Sequence, residues 1–223
     1  MCQADRVQPR VRLEKSPEER AEDTAFEALY GAWAPLEPSA LARELDGFDR
    51  PWWVVGGWAI EAATGYRREH EDTDVSLLAC DVSAFVDFVR DRWHVWNNVG
   101  GVLHPLGDRW PTVEEPASQL WLRADATSPW VVDIPLTPDV DGRWSNKHLP
   151  GHVAPLEEVT WRADDGIRYL LPEIVLLYKA RLRRAKDEPD FDAALPVLDA
   201  RARTWLRGAL ETVVPGHPWR DRL

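Results

Sequence analysis

The chain has 223 residues, enough for one full hydrophobic core or for a core with a closely packed second lobe. Its 27 Lys and Arg face 38 Asp and Glu, a net charge of −11 that reverses the basic footprint of sequence-independent nucleic-acid binding and favours a cationic small partner over a polyanion. With only Cys2 and Cys80, and no apolar run in "MCQADRVQPRVRLEKSPEER" to act as a signal or span, it reads as a reduced, cytoplasmic protein without a membrane segment.

The stretch 1–16 is polar and irregular, the composition of a flexible arm. A core is expected over 17–150. It opens with "SPEERAEDTAFEALYGAW", a helix with Ser16 as N-cap, Pro17 at its first position and acids in its first turn. A short helix, "SALARELDGF", precedes the apolar strand "PWWVV", which ends in Gly56-Gly57 and runs into the helix "WAIEAATG", closed by Gly65. "DTDVSLLA" reads as a strand, and "DVSAFVDFVRDR" as a helix with Val82, Phe85, Val86 and Val89 on one face. "WHVWNNV", "SQLWLRA" and "WVVDIPL" are three further strands. A boundary is expected within 138–165, and 151–223 is expected as a helical part containing "PEIVLLYKARLRRAK", "PDFDAALPVL" and "ARARTWLRGALETVV". The class is α+β, a mixed sheet flanked by helices with a helical C-terminal part. The 13 tryptophans are expected to fill the core and to wall a cleft.

If "EHEDTDVSL" is extended, His70, Asp72, Asp74 and Ser76 share one face, with neighbours roughly 6.5–7 Å apart. Two carboxylates at that spacing can hold a pair of divalent cations about 3.5–4 Å apart, and hard oxygen donors select Mg²⁺ or Mn²⁺. An Asp-x-Asp alone is a weak signal. It gains force from Gly56-Gly57 at the start of the helix just upstream, where unpaired N–H groups form a phosphate cradle that the backbone can bring close to the anion.

In that combination the chain resembles the polymerase-β-like nucleotidyltransferase superfamily. The fuller stretch "GGWAIEAATGYRREHEDTDV" is similar to the branch of small aminoglycoside and lincosamide nucleotidyltransferases, through Gly56, Gly57, Trp58, Ala59, Arg68, His70, Asp72 and Asp74. The resemblance implies a metal-dependent transfer of a nucleoside monophosphate, AMP from ATP, to a hydroxyl of a small polar acceptor that can be cationic. It implies a third carboxylate, for which Asp133 in "PWVVDIPLTP" is the candidate, as metal ligand or as general base. Trp130, Val132, Ile134 and Leu136 would face the core and leave Asp133 on the other side. It implies nucleotide contacts from Gly56, Gly57, Arg68, His70, Lys179 and Lys186, the two lysines lying with Arg183 at i, i+4 and i+7 on one helical stripe. Two departures stand out: Thr73 where the branch has Ile, and Pro135 shortly after the third acid, which would end ladder pairing. Alternative readings are a nucleotidyltransferase that modifies a protein, as in toxin–antitoxin modules, and a non-catalytic nucleotide-binding module. Oligomeric state is open.

Overall fold

Ser16 does cap the first helix. In the computed structural model, which describes residues 9–107, 109, 110 and 119–223, its Oγ accepts from Glu19 N at 3.1 Å while the Glu19 carboxylate accepts from Ser16 N at 2.7 Å. This reciprocal box, with Pro17 at the first position, starts α1 (Pro17–Tyr30). No residue of α1 is fully buried, so the helix rests on the core by its Phe26 and Tyr30 edge, with ring centroids 5.9 and 5.8 Å from Trp121.

After α2 (Pro38–Glu44) come β1 (Trp52–Val54), α3 (Gly56–Thr64), β2 (Val75–Leu77) and α4 (Val82–Val89). Gly65 ends α3 at φ +73°, the left-handed position that a glycine fills without a Cβ clash. Strands β3 (His94–Val99), β5 (Gln119–Arg123) and β6 (Val132–Pro135) match the three expected runs, and β4 (Val102–Pro105) is an additional hairpin partner of β3. One sheet has the order β4-β3-β5-β6, and β1 pairs antiparallel with β2 in another.

These two sheets meet where β2 and β6 run side by side. Asp133 N donates to Thr73 O at 3.0 Å and Thr137 N to Leu77 O at 3.0 Å, so parallel bridges form at Asp74–Asp133 and Leu78–Thr137. The bond between them is missing because Pro135 has no N–H to give. Ser76 Oγ fills the gap by donating to Pro135 O at 2.5 Å. Pro135 therefore does not put β6 at an edge; it perforates a joint between two sheets and leaves β6 paired to β5 on its other side.

The stretch 138–165, expected to hold a boundary, carries a small sheet of β7 (Asp139–Val140), β8 (Arg143–Ser145) and β9 (Val153–Ala154), followed by a single turn, α5 (Leu156–Val159). The chain then returns to the first sheet through β10 (Thr160–Arg162) and β11 (Arg168–Leu170), β11 lying parallel beside β1 to give the order β10-β11-β1-β2. Only then come α6 (Pro172–Leu182), α7 (Asp187–Ala194) and α8 (Ala200–Val213). Alternation in β6 holds as expected, with Trp130, Val132, Ile134 and Leu136 buried. Helix α6 is buried nearly all round: Ile174, Val175, Leu176, Leu177 and Ala180 are in the core, and so is Lys179. Among the described residues no helix is long and apolar enough to cross a membrane.

Candidate active site

The site forms where α3 begins. Val55 N donates to Asp74 O at 2.9 Å, which brings the strand of acids alongside the first turn of α3. Gly56 has φ +66°, and a Cβ there would overlap the Asp74 carboxylate; a Cβ on Gly57 would overlap the Arg68 guanidinium and the His70 ring. The glycine pair is thus required by side chains of this chain. No side chain caps α3, so its first-turn N–H groups stay available to an acceptor of hydrogen bonds.

Asp72, Asp74 and Asp133 come together through the β2–β6 joint. Asp133 sits opposite Asp74 in the parallel bridge, and Asp72 lies close enough to raise the pKa of both. Burial, then the Asp72 charge, pushes Asp74 up to about 7; burial, then Asp74 and Asp72, holds Asp133 well above the usual carboxylate range. Gln119 Nε2 donates to Asp133 Oδ2 at 3.0 Å, while Asp133 Oδ1 is buried and closes no hydrogen bond. The indole N–H of Trp121 is near enough to ease the charge on Asp133 but makes no bond to it. Among the described residues no three His, Cys, Asp or Glu side chains form a ready-made cage for a metal ion. Even so, crowded, desolvated carboxylates with an orphaned oxygen fit a hard divalent cation, whose charge would relieve their repulsion. Asp72, Asp74 and Asp133 are the residues that would hold it.

Thr73, between the two acids, is fully buried and its hydroxyl has no partner. It occupies the slot of an apolar residue by shape alone.

The expected nucleotide contacts divide. His70 does not turn to the carboxylates: its ring stacks on Trp58 at 4.3 Å and its Nε2 is 2.8 Å from Glu61 Oε2. Burial, with Arg68 and Arg10 nearby, lowers its pKa, so the neutral ring donates from Nε2 to Glu61. Arg68 is buried in a bidentate pair with Asp190, at 2.8 and 2.9 Å. Lys179 is buried as well, 3.0 Å from Asp187 Oδ1 and 2.8 Å from Asp190 Oδ2. Burial alone would raise both aspartates; Arg184 and Lys179 on Asp187, and Arg68 and Lys179 on Asp190, outweigh it and hold both below the usual range. Arg68 and Lys179, expected at the phosphates, pair with Asp187 and Asp190 and form a clamp that ties α6 and α7 to the segment after α3. Nor do the lysines share a helix: Arg183 takes φ +52° and ends α6, so Lys186 reaches the other way to Glu71 Oε2 at 2.9 Å.

Two cations missed by the sequence reading face the acids. Arg184, held by Asp187, and Lys147, from the loop between β8 and β9, each act on Asp74, Arg184 on Asp72 and Lys147 on Asp133. Lys147 is fixed by its neighbour Asn146, whose Oδ1 accepts from His148 N and Leu149 N at 3.0 Å each, and its ammonium lies over Tyr178. Its isolation as one of four lysines in an Arg-using chain was a signal.

Of the stretch 1–16, expected as an arm, 1–8 lie outside the described residues. The rest are bonded down: Val11 N donates to Arg67 O and Glu69 N to Val11 O, both at 2.9 Å, and Arg10 stacks over Trp58 and bonds Glu61. Lys15 bonds Asp23 and Glu71. Beside Asp72 and Asp133 this brings α1 to the edge of a cavity of about 320 Å³. A larger cavity, about 380 Å³, lies at the start of α6 and contains none of the three acids, so volume alone does not locate the chemistry.

No family model and no curated protein sequence matches the chain. Solved structures do. The crystal structure of ANT(2'')-Ia in complex with adenylyl-2''-tobramycin aligns at TM-score 0.52 and 16% identity over 77% of this chain and 93% of that one. A solution structure of the same antibiotic-resistance factor aligns at 0.51 and 17%, over 77% and 88%. The lincomycin-bound lincosamide antibiotic adenylyltransferase LnuA aligns at 0.49 and 17%, over 74% and 99%. The architecture is the nucleotidyltransferase fold that the Gly-Gly and Asp-x-Asp spacing leads one to expect, as it is built in ANT(2'')-Ia.

Proposed function

We propose that the chain is a divalent-metal-dependent nucleotidyltransferase that moves AMP from ATP to a hydroxyl of a small polar acceptor, of the aminoglycoside or lincosamide type. The observation that carries this reading is the meeting of Asp74 and Asp133 across the β2–β6 joint, with Asp72 adjacent, beside the uncapped start of α3. Bound among these acids, Mg²⁺ or Mn²⁺ supplies neutralising charge at the phosphates and polarises the attacking and leaving oxygens.

The chain's own residues do the rest. First-turn amides at Gly56 and Gly57 receive phosphate oxygens. Arg184, Lys186 and Lys147 offset the charge that grows on pyrophosphate as its bond to the α-phosphorus breaks. Asp133, with an oxygen that closes no hydrogen bond, would hold the metal beside Asp72 and Asp74 or, as the ionised carboxylate, take the proton of the acceptor hydroxyl as that oxygen bonds to phosphorus. Arg68, Lys179 and His70 keep the phosphate-side elements in place.

The test is incubation with Mg²⁺, ATP and a panel of aminoglycosides and lincosamides, read by mass spectrometry for an added AMP. Wild type should give adducts, and Asp72→Asn and Asp74→Asn none above background. Equal yield from Asp74→Asn would end the metal-site assignment.

A further inference from the structure

Resting on that reading, we propose that Lys15 is an internal ammonium standing where the acceptor's own ammonium docks, so that the acceptor is a cation and must displace it. The cavity beside Asp72 and Asp133 is also lined by Asp23, Glu27 and Glu71, with Trp33 and Trp121 as aromatic walls and Lys15 as the one cation among its described lining residues. Lys15 Nζ bonds Asp23 Oδ2 at 2.5 Å and also Glu71 Oε1. That is the contact set an ammonium group on a ligand would seek.

The charges decide the class of ligand. Glu71 is paired twice, with Lys15 and with Lys186, whose Nζ lies 2.9 Å from Glu71 Oε2. Glu27 makes no ion pair among the described residues. With Asp72 and Asp133 committed to the metal, three carboxylates still face the acceptor space against Lys15 and the shared Lys186. A neutral acceptor would leave that surplus uncompensated. A polyammonium acceptor removes it and lies beside Trp33, whose ring meets the buried Trp121 edge to face at 5.2 Å.

Displacement is local. The Lys15 side chain is 34% exposed, its stem is flexible, and α1 behind it has no fully buried residue to lose. An occupied pocket of this kind lowers apparent affinity by the fraction of molecules in which it is free.

The experiment uses the full chain and calorimetric titration with tobramycin as a polyammonium probe and maltotriose as a neutral one, alongside acceptor KM in the transfer assay. Lys15→Met should tighten tobramycin binding and lower its KM about fivefold, the factor for a pocket free in roughly one molecule in five. Lys15→Arg should behave as wild type, and Glu27→Gln should weaken tobramycin. Maltotriose should bind none of them measurably. If Lys15→Met binds tobramycin no tighter, or more weakly, while Lys15→Arg is normal, Lys15 is a structural strap and the proposal is refuted. Should transfer occur with that result, the nucleotidyltransferase reading survives alone. Should no acceptor ever be modified while binding tightens as expected, the cation site stands and that reading falls.

Discussion

Replacing Gly56 with alanine separates the two demands placed on that residue. Its φ of +66° costs a side chain about 1–2 kcal/mol, and the new methyl would overlap Asp74 Oδ2. At about 2–4 °C per kcal/mol for a chain of this size, Tm should fall by about 2–8 °C. Asp74 has little room to yield, because Val55 N holds its carbonyl at 2.9 Å and Asp133 bridges it on the other side. The carboxylate must therefore shift, and a misplacement of about 1 Å costs on the order of 10²-fold in rate. We expect kcat/KM to drop by about that factor with far-UV circular dichroism unchanged, and Mg²⁺ stabilisation to weaken in the same thermal scans. Gly57→Ala is the control, since its methyl meets Arg68 and His70 instead of a carboxylate and has no positive φ to adopt. A Gly56→Ala protein that loses the expected stability yet keeps its activity within about twofold would refute the claim that this glycine makes room for Asp74.

Asp190→Asn leaves Arg68 and Lys179 buried with half their counter-charge, at a cost of about 3–5 kcal/mol, so Tm should fall by about 10 °C; a change below about 2 °C would show that the clamp is not structural. Thr73→Val deletes a buried hydroxyl without a partner and keeps the shape, so it should stabilise by about 1 kcal/mol, seen as a Tm rise of about 2–4 °C. His148 accepts from Arg181 at 3.1 Å and stands edge-on to Tyr178; burial, then Arg181 and Lys147, lowers its pKa to about 4. Because the fold favours its neutral form, its contribution is complete above about 6.5 and is lost as pH falls toward about 4. The urea midpoint should therefore drop more steeply over that window in wild type than in His148→Phe, and parallel slopes would count against this.

Much of the site was legible because its signals are local. Ser16 and Pro17 cap a helix wherever they stand before a helical run, Gly65 stops one, and Gly-Gly followed one short helix later by Asp-x-Asp marks a helix start and a pair of acids whatever the rest of the chain does. Alternation in "WVVDIPL" placed Asp133 opposite the core face. The stripe of Lys179, Arg183 and Lys186 failed for a related reason: spacing implies a shared face only on an unbroken helix. Arg183 breaks it in the left-handed region with neither glycine nor proline to announce the turn. Short strands such as β7 to β11 give alternation too little length to register, which is why they left no signal in the sequence.

By itself the sequence determined which groups are present and which face of its own element each occupies, since backbone geometry and side-chain period settle that within a few residues. Tertiary structure alone decided which of them meet: Asp74 with Asp133 and Arg68 with Asp190, partners far apart along the chain, and Lys15 with Glu71 beside the cavity at Asp72 and Asp133. Those pairings follow from strand order and from the burial of opposite charges, and neither leaves a periodicity to read.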